Sequence, residues 1–194
     1  MQRRAFLTST AGLAIGGSGL LLAGCTTTPP GAPTDRAAQR REIDSAAEAT
    51  LGRLYSTARG TRELGERARG ILVFPRVLAA GFVFGGEYGD GVLRTGGRPV
   101  GYYRTTTGSF GWQIGAQSKA IILMFMTQEA LDRFVNSNGW SAGVDASVAL
   151  ARIGASGEID TNTIRQPVVG FALTNAGLMA NITIEGSKIT KLDI

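Results

Sequence analysis

The single cysteine of this chain, Cys25, closes the tetrad Leu22-Ala23-Gly24-Cys25 behind an apolar run and an Arg3-Arg4 pair. A thiol, as thiolate, is the nucleophile that a diacylglycerol donor can alkylate. The rest of the composition narrows the chemistry further. There is no histidine anywhere, which removes Ser-His-Asp and Cys-His catalysis, histidine metal sites and histidine pH sensing together. With one cysteine, no intramolecular disulfide can form. No pair of acids stands out for carboxylate-only catalysis. The expectation is a protein that is not an enzyme, with no catalytic residue, no metal and no cofactor.

Two arginines, an apolar stretch from Ala11 to Ala23 and then small-small-Cys is the layout of an export signal. It resembles a bacterial lipoprotein signal, with Cys25 as the lipid attachment point. The apolar stretch is too short, and too rich in glycine and serine, to cross a bilayer as a stable helix. Arg3, Arg4, Phe6 and Leu7 lie in Gln2-Arg3-Arg4-Ala5-Phe6-Leu7, which resembles a twin-arginine export motif; the general secretion route is the alternative. Residues 1–24 are thus expected to be a signal peptide. Residues 25–35, Cys-Thr-Thr-Thr-Pro-Pro-Gly-Ala-Pro-Thr-Asp, follow as a lipidated cysteine and disordered tether. Residues 36–194 are long enough for a single domain with its own core. Thr26, where an aspartate is absent, resembles outer-membrane sorting. The expected location is the cell envelope, lipid-anchored at the outer membrane and facing the periplasm.

The net charge of +5 is unevenly placed. Between Arg36 and Arg76 stand nine arginines against Glu42, Asp44, Glu48, Glu63 and Glu66. Such a patch can serve nucleic acid, an anionic lipid surface or plain solvation. Export and the lack of zinc-ligand or aromatic RNA-reading motifs speak against nucleic acid. Solvation and lipid headgroups both remain open. The candidates for headgroup binding are Arg53, Arg59, Arg62, Arg67, Arg69 and Arg76, because a guanidinium offers phosphate a two-pronged donor.

The elements that must position these arginines follow from periodicity. Ile43, Ala47, Thr50, Leu51, Leu54 and Ala58 recur at helical spacing, predicting a helix from about Arg36 to Ala58. Gly60-Thr61 breaks it, and Thr61 is placed to cap a short second helix through Arg69, with Glu63 and Arg67 as an i, i+4 pair. After Gly70 the chain turns to strands: Ile71–Phe74 stopped by Pro75, Val77–Phe84, a Gly85–Gly91 turn cluster, a short Val92–Arg94, a further turn over Thr95–Pro99, Val100–Thr107, Phe110–Ile114 and a central Lys119–Met126. The glycines of the turn cluster are expected to supply positive φ; those at 101, 108, 111 and 115 point to curvature or bulges. Thr127 caps a helix over about 127–136. Val144–Leu150 alternates like a half-buried strand, residues 154–166 form a polar loop, and Val168–Leu173, Leu178–Ile184 and Lys188–Leu192 complete the set. The class is α+β: N-terminal helices, then a strongly curved, mainly antiparallel multi-stranded sheet with one further helix.

In order and spacing, Leu51 to Lys188 resembles the SYLF domain family. The residues are Ala68-Arg69-Gly70-Ile71-Leu72-Val73-Phe74-Pro75, the Gly85–Val92 cluster, Gly108-Ser109-Phe110-Gly111-Trp112-Gln113-Ile114-Gly115-Ala116-Gln117, Glu129-Ala130-Leu131-Asp132-Arg133-Phe134, Val144-Asp145-Ala146-Ser147 and Gly177 to Ser187. Around Arg98-Pro99-Val100 the chain departs from the family, with no tryptophan until Trp112. The resemblance implies lipid binding, and in eukaryotic members phosphoinositide binding and regulation of actin patches; bacterial members resemble this chain as small secreted lipoproteins. Neither actin nor phosphoinositides are expected in the compartment the signal implies. The expected partners are a membrane through the acyl anchor and anionic phospholipid headgroups, with no nucleic acid and with any protein partner unidentified. The alternative is an envelope scaffold that acts through protein–protein contacts.

Overall fold

The computed structural model describes residues 35–81, 84–110, 117–151, 165–175, 177–178, 184 and 186–194. Cys25, Arg3, Arg4, Phe6 and Leu7 lie outside them, as do most of the 154–166 loop and of the Leu178–Ile184 strand. Thr34–Ile194 clusters as one compact unit.

Helix α1 spans Arg36–Thr57 and α2 spans Thr61–Arg67. Asp35, at the end of the expected tether, is the N-cap of α1: its carboxylate accepts from the amides of Ala37 and Ala38 at 3.0 and 3.2 Å. Ile43, Ala47, Thr50, Leu51 and Leu54 are all buried, so the helical stripe packs as its spacing predicts. Thr61 does not cap α2. Gly60, at φ 80°, is the N-cap, and the Thr61 hydroxyl donates back to the carbonyl of Ala58 at 2.7 Å.

The strands are β1 (Gly70–Gly81), β2 (Phe84–Thr95), β3 (Arg98–Phe110), β4 (Gln117–Phe125), β5 (Trp140–Ser141), β6 (Ala149–Leu150), β7 (Val168–Thr174), β8 (Gly177–Leu178) and β9 (Lys188–Lys191); α3 (Gln128–Val135) lies between β4 and β5. They form one sheet in the order β5-β9-β3-β2-β1-β4-β7-β6, with β8 on β7. Every pairing is antiparallel except β6 with β7. The class is α+β. The sheet is strongly curved, a half-barrel: Trp140 from one edge and Val148 and Leu150 from the other pack into the same core.

Pro75 does not end a strand. Both ladders of β1 slip by one residue around Pro75-Arg76, so the proline sits in a bulge where its missing N–H breaks no ladder bond. The slip also resets the alternation, which lets Phe74 and Val77 both face the same core. Residues 85–91 are not a turn but part of β2, and none of their glycines has positive φ. At two of them β1 lies too close for a side chain: a Cβ on Gly89 would stand 2.6 Å from the Arg76 carbonyl, and one on Gly91 would stand 2.5 Å from Cδ1 of Phe74. The turn expected over Thr95–Pro99 does form, as the two-residue hairpin loop Gly96-Gly97 at φ 56° and 78°. A second slip, at Val100, follows the register change between Leu93 and Arg94. Val144 is 82% exposed in a turn, so the expected 144–150 strand shrinks to β6.

Two cores flank the sheet. The inner one joins Leu72, Phe74, Leu123 and Phe125 to Leu131 and Phe134 of α3 and to Trp140. Thr127 caps α3 as expected, its hydroxyl accepting from the Ala130 amide at 3.2 Å. Around Phe134 the ring centroids of Tyr103, Phe125 and Trp140 lie 4.8, 4.9 and 5.7 Å away. The outer core joins α1 to Val73, Val92, Ile122, Met124 and Phe171.

Candidate anion-binding surface

Because the apolar stripe of α1 is spent on the sheet, the helix turns polar side chains and the small Ala37, Ala38 and Ala49 to solvent. Arg53 is exposed on it, and its guanidinium donates to the Thr174 carbonyl at 3.3 Å. The bulge in β1 turns Arg76 outward beside the helix. The two arginines line one groove between α1 and the sheet, with Glu42, Thr50, Pro75 and Asp90. The groove has a volume of about 380 Å³. Among the described residues neither arginine is in an ion pair.

Asp90 is already matched. Arg104, its cross-strand partner, donates to both carboxylate oxygens at 2.7 and 3.0 Å. This two-pronged pairing is the geometry in which guanidinium and carboxylate bind best. It raises the Arg104 pKa further, against a smaller opposing effect of burial. The Arg104 guanidinium also lies 4.7 Å from the Tyr88 ring centroid, and the Tyr88 hydroxyl donates to Asp90 at 3.3 Å. Burial first, and then the Asp90 charge, push the Tyr88 pKa up. So Asp90 holds Arg104 in place and leaves Arg53 and Arg76 as the groove's open cations, with Glu42 as the acid beside them.

The other four candidate arginines fall elsewhere. Arg59 follows α1, Arg62 and Arg67 are on α2, and Arg69 leads into β1; all four are exposed. Arg62 stacks over Tyr55 at 4.9 Å, beside a second cleft lined by Leu51, Tyr55, Glu66, Ile71 and Arg94. Burial raises the Tyr55 pKa, and the Arg62 and Arg94 charges oppose that rise. The expected Glu63–Arg67 ion pair does not form; the i, i+4 pair among the described residues is Glu129–Arg133, at 3.4 Å. Arg94 and Arg104 are contributors that periodicity did not single out. Finding them needs the strand register, which a single sequence does not carry.

In the first half of α1, Asp44 accepts from the Tyr102 hydroxyl at 3.0 Å, while its second oxygen is buried with no hydrogen-bond partner among the described residues. Arg40 lies 5.9 Å from the Tyr102 ring centroid and donates to the Ile194 carbonyl. Across the sheet, Lys119 and Glu87 form a largely buried ion pair at 2.7 Å. Among the described residues no cluster of acids and cysteine could hold a metal, and no helix is long and apolar enough to cross a membrane.

The family described as Ysc84, Las17-binding protein actin regulator, matches residues 106–193. Over that stretch the chain is similar to the family, in keeping with its SYLF-type resemblance. It is also 28% identical over 132 residues to LAS seventeen-binding protein 3 of Saccharomyces cerevisiae, in strains YJM789 and ATCC 204508 / S288c. Those alignments cover 64% of this chain and 28% of each relative, so the chain spans under a third of the length of the curated relatives it matches. The family match starts within β3, so Arg53 and Arg76 lie before it.

Proposed function

We propose that this protein is a non-enzymatic lipoprotein of the cell envelope that binds anionic lipid surfaces through the face bearing α1. The supporting observation is the groove that brings exposed Arg53 and Arg76 together, neither in an ion pair among the described residues. The α1 stripe is buried, so contact through the helix itself relies on charge and not on insertion. Each basic side chain close to an anionic surface contributes about 1 kcal/mol, and the effect decays within a Debye length. Arg59, Arg62, Arg67 and Arg69 extend the cationic surface beyond the groove. Acylation of Cys25, after export directed by Arg3, Arg4, Phe6 and Leu7, would hold the domain at the outer membrane, facing the periplasm. Several acyl chains make such an anchor stable, where one alone binds marginally.

The test is co-flotation of the Thr34–Ile194 unit with vesicles. Vesicles of phosphatidylglycerol and phosphatidylcholine should carry it up the gradient, and phosphatidylcholine alone should not. Equal flotation with both, or with neither, contradicts the reading. The relatives named for binding LAS seventeen favour a second reading, an envelope scaffold that acts on a protein partner; absence of flotation with either vesicle would favour it.

A further inference from the structure

Leu78 and Tyr88 are 46% and 45% exposed, and they are direct cross-strand partners in β1 and β2. Tyr88, Asp90 and Arg104 contact one another, and Asp90 lines the groove against α1, so this apolar pair lies on the α1 side of the sheet. It stands just beyond the bulge at Arg76, on the stretch of β1 that α1 leaves open. The other exposed large apolar side chains among the described residues, Val100, Val135 and Val144, have no such partner there: Val100 is at a bulge, Val135 on α3 and Val144 in a turn. A leucine and a tyrosine side by side, with an unpaired arginine two residues before the leucine, suit one kind of surface. A tyrosine ring with its polar tip belongs at the level of lipid headgroups, and a guanidinium there meets phosphate while its stem lies along apolar surface.

We infer that Leu78 and Tyr88 are the point at which this domain dips into the outer layer of an anionic bilayer, with Arg76 and Arg53 seated on the headgroup phosphates beside them. This rests on the lipid-surface reading above and adds the orientation: the far end of the β1–β2 ladder points at the membrane, and α1 lies alongside it. Charge complementarity selects the occupant. Of the charges around the pair, Asp90 is held by Arg104, which leaves Arg53 and Arg76 against Glu42. A neutral apolar partner would leave these two guanidinium groups desolvated and unpaired, which is costly. A headgroup layer supplies phosphate to the arginines and acyl carbon to Leu78 in one plane.

The experiment uses the Thr34–Ile194 unit, which contains both cores, and vesicles of equal parts phosphatidylglycerol and phosphatidylcholine. Neutral truncations keep lost insertion separate from added repulsion. The double variant Leu78→Ser/Tyr88→Ser should bind about tenfold more weakly, as expected for loss of two half-exposed apolar groups from the contact. The control Val135→Ser/Val144→Ser should change binding by less than about twofold. Leu78→Trp should add fluorescence that brominated acyl chains quench beyond the quenching seen in the wild type. If the first double variant loses its fold, the Leu78→Trp quenching decides alone. Equal binding by both double variants with no added quenching overturns the inference and leaves the charge-based reading standing. Failure of the wild type to bind these vesicles overturns both. A fall in oligomeric mass of Leu78→Ser/Tyr88→Ser at unchanged vesicle affinity assigns the pair to contact between copies of the chain, and overturns it as well.

Discussion

The two faces of the sheet are built from different materials. The inner face is filled with large rings: Phe74, Phe125, Phe134 and Trp140 are all 2% exposed or less, and α3 closes over them. The outer face is packed mainly with aliphatic side chains, among them Ala47, Leu54, Val73, Val92 and Ile122, with Phe171 as its fully buried ring, and its cover is incomplete. Past the Pro75-Arg76 bulge the outer surface turns to Leu78, Tyr88 and the Arg104–Asp90 pair, all at least partly in solvent. The inner face therefore carries stability, and the outer face gives up part of its burial to present a surface. Binding and folding should be separable by face.

The largest effect should come from the inner face. Phe134→Ala removes the ring on which Tyr103, Phe125 and Trp140 converge. It should lower unfolding stability by about 3–5 kcal/mol in a denaturant titration, with the vesicle affinity of the folded fraction unchanged. A parallel loss of affinity per folded molecule would show that the two faces are not separable.

Next is the seam where β2 passes β1. Gly89→Ala puts a methyl 2.6 Å from the backbone carbonyl of Arg76, an atom that cannot move without moving the bulge. The expected cost is about 1–3 kcal/mol. Because the bulge sets the direction of Arg76, this variant should also weaken vesicle binding, which Phe134→Ala should not do. Unchanged stability would show that the glycine is there for another reason.

High pH probes the inner face more gently. Burial raises the pKa of Tyr103, so the fold prefers its neutral phenol. Its contribution is fully present below the unfolded value of about 10, and it is lost as pH rises from there through the raised folded value. Thermal melts across that window should show falling stability, and Tyr103→Phe should blunt the fall. An equal fall in both proteins would place the alkaline sensitivity elsewhere. The smallest effect should be a gain. Gly52 is exposed within α1 and a Cβ there meets nothing within 4 Å, so Gly52→Ala should stabilise by roughly 0.5–1 kcal/mol and leave binding alone.

The same contrast explains which parts of the molecule could be read from the chain. Elements with a strong local signal were legible: the α1 stripe from Ile43 to Leu54, the Thr127 cap, the continuous apolar β4 and the α+β class. Glycine and proline misled between 75 and 91 because each has two physical meanings. Glycine marks either a positive φ or a close approach, and proline marks either a stop or a bulge; only the packing of β1 against β2 decides. Strands of two residues, β5 and β6, are too short to leave a pattern, so Val144 passed for a strand residue. For the candidate site, sequence indicated the arginine-rich segment but not its grouping. Arg53 meets Arg76 through helix packing and a bulge, Arg104 meets Asp90 through register, and Leu78 meets Tyr88 through register slipped by one. None of these is a local property.

The central claim is that the α1-side groove binds anionic surfaces through Arg53 and Arg76. It is tested most directly by the salt dependence of vesicle affinity for the Thr34–Ile194 unit and for its Arg53→Gln/Arg76→Gln variant, both checked for an unchanged melting temperature. The account predicts wild-type affinity that falls as salt rises, and a variant that binds roughly tenfold more weakly at low salt with a shallower salt dependence. Identical affinities and identical salt slopes for the two proteins would contradict it.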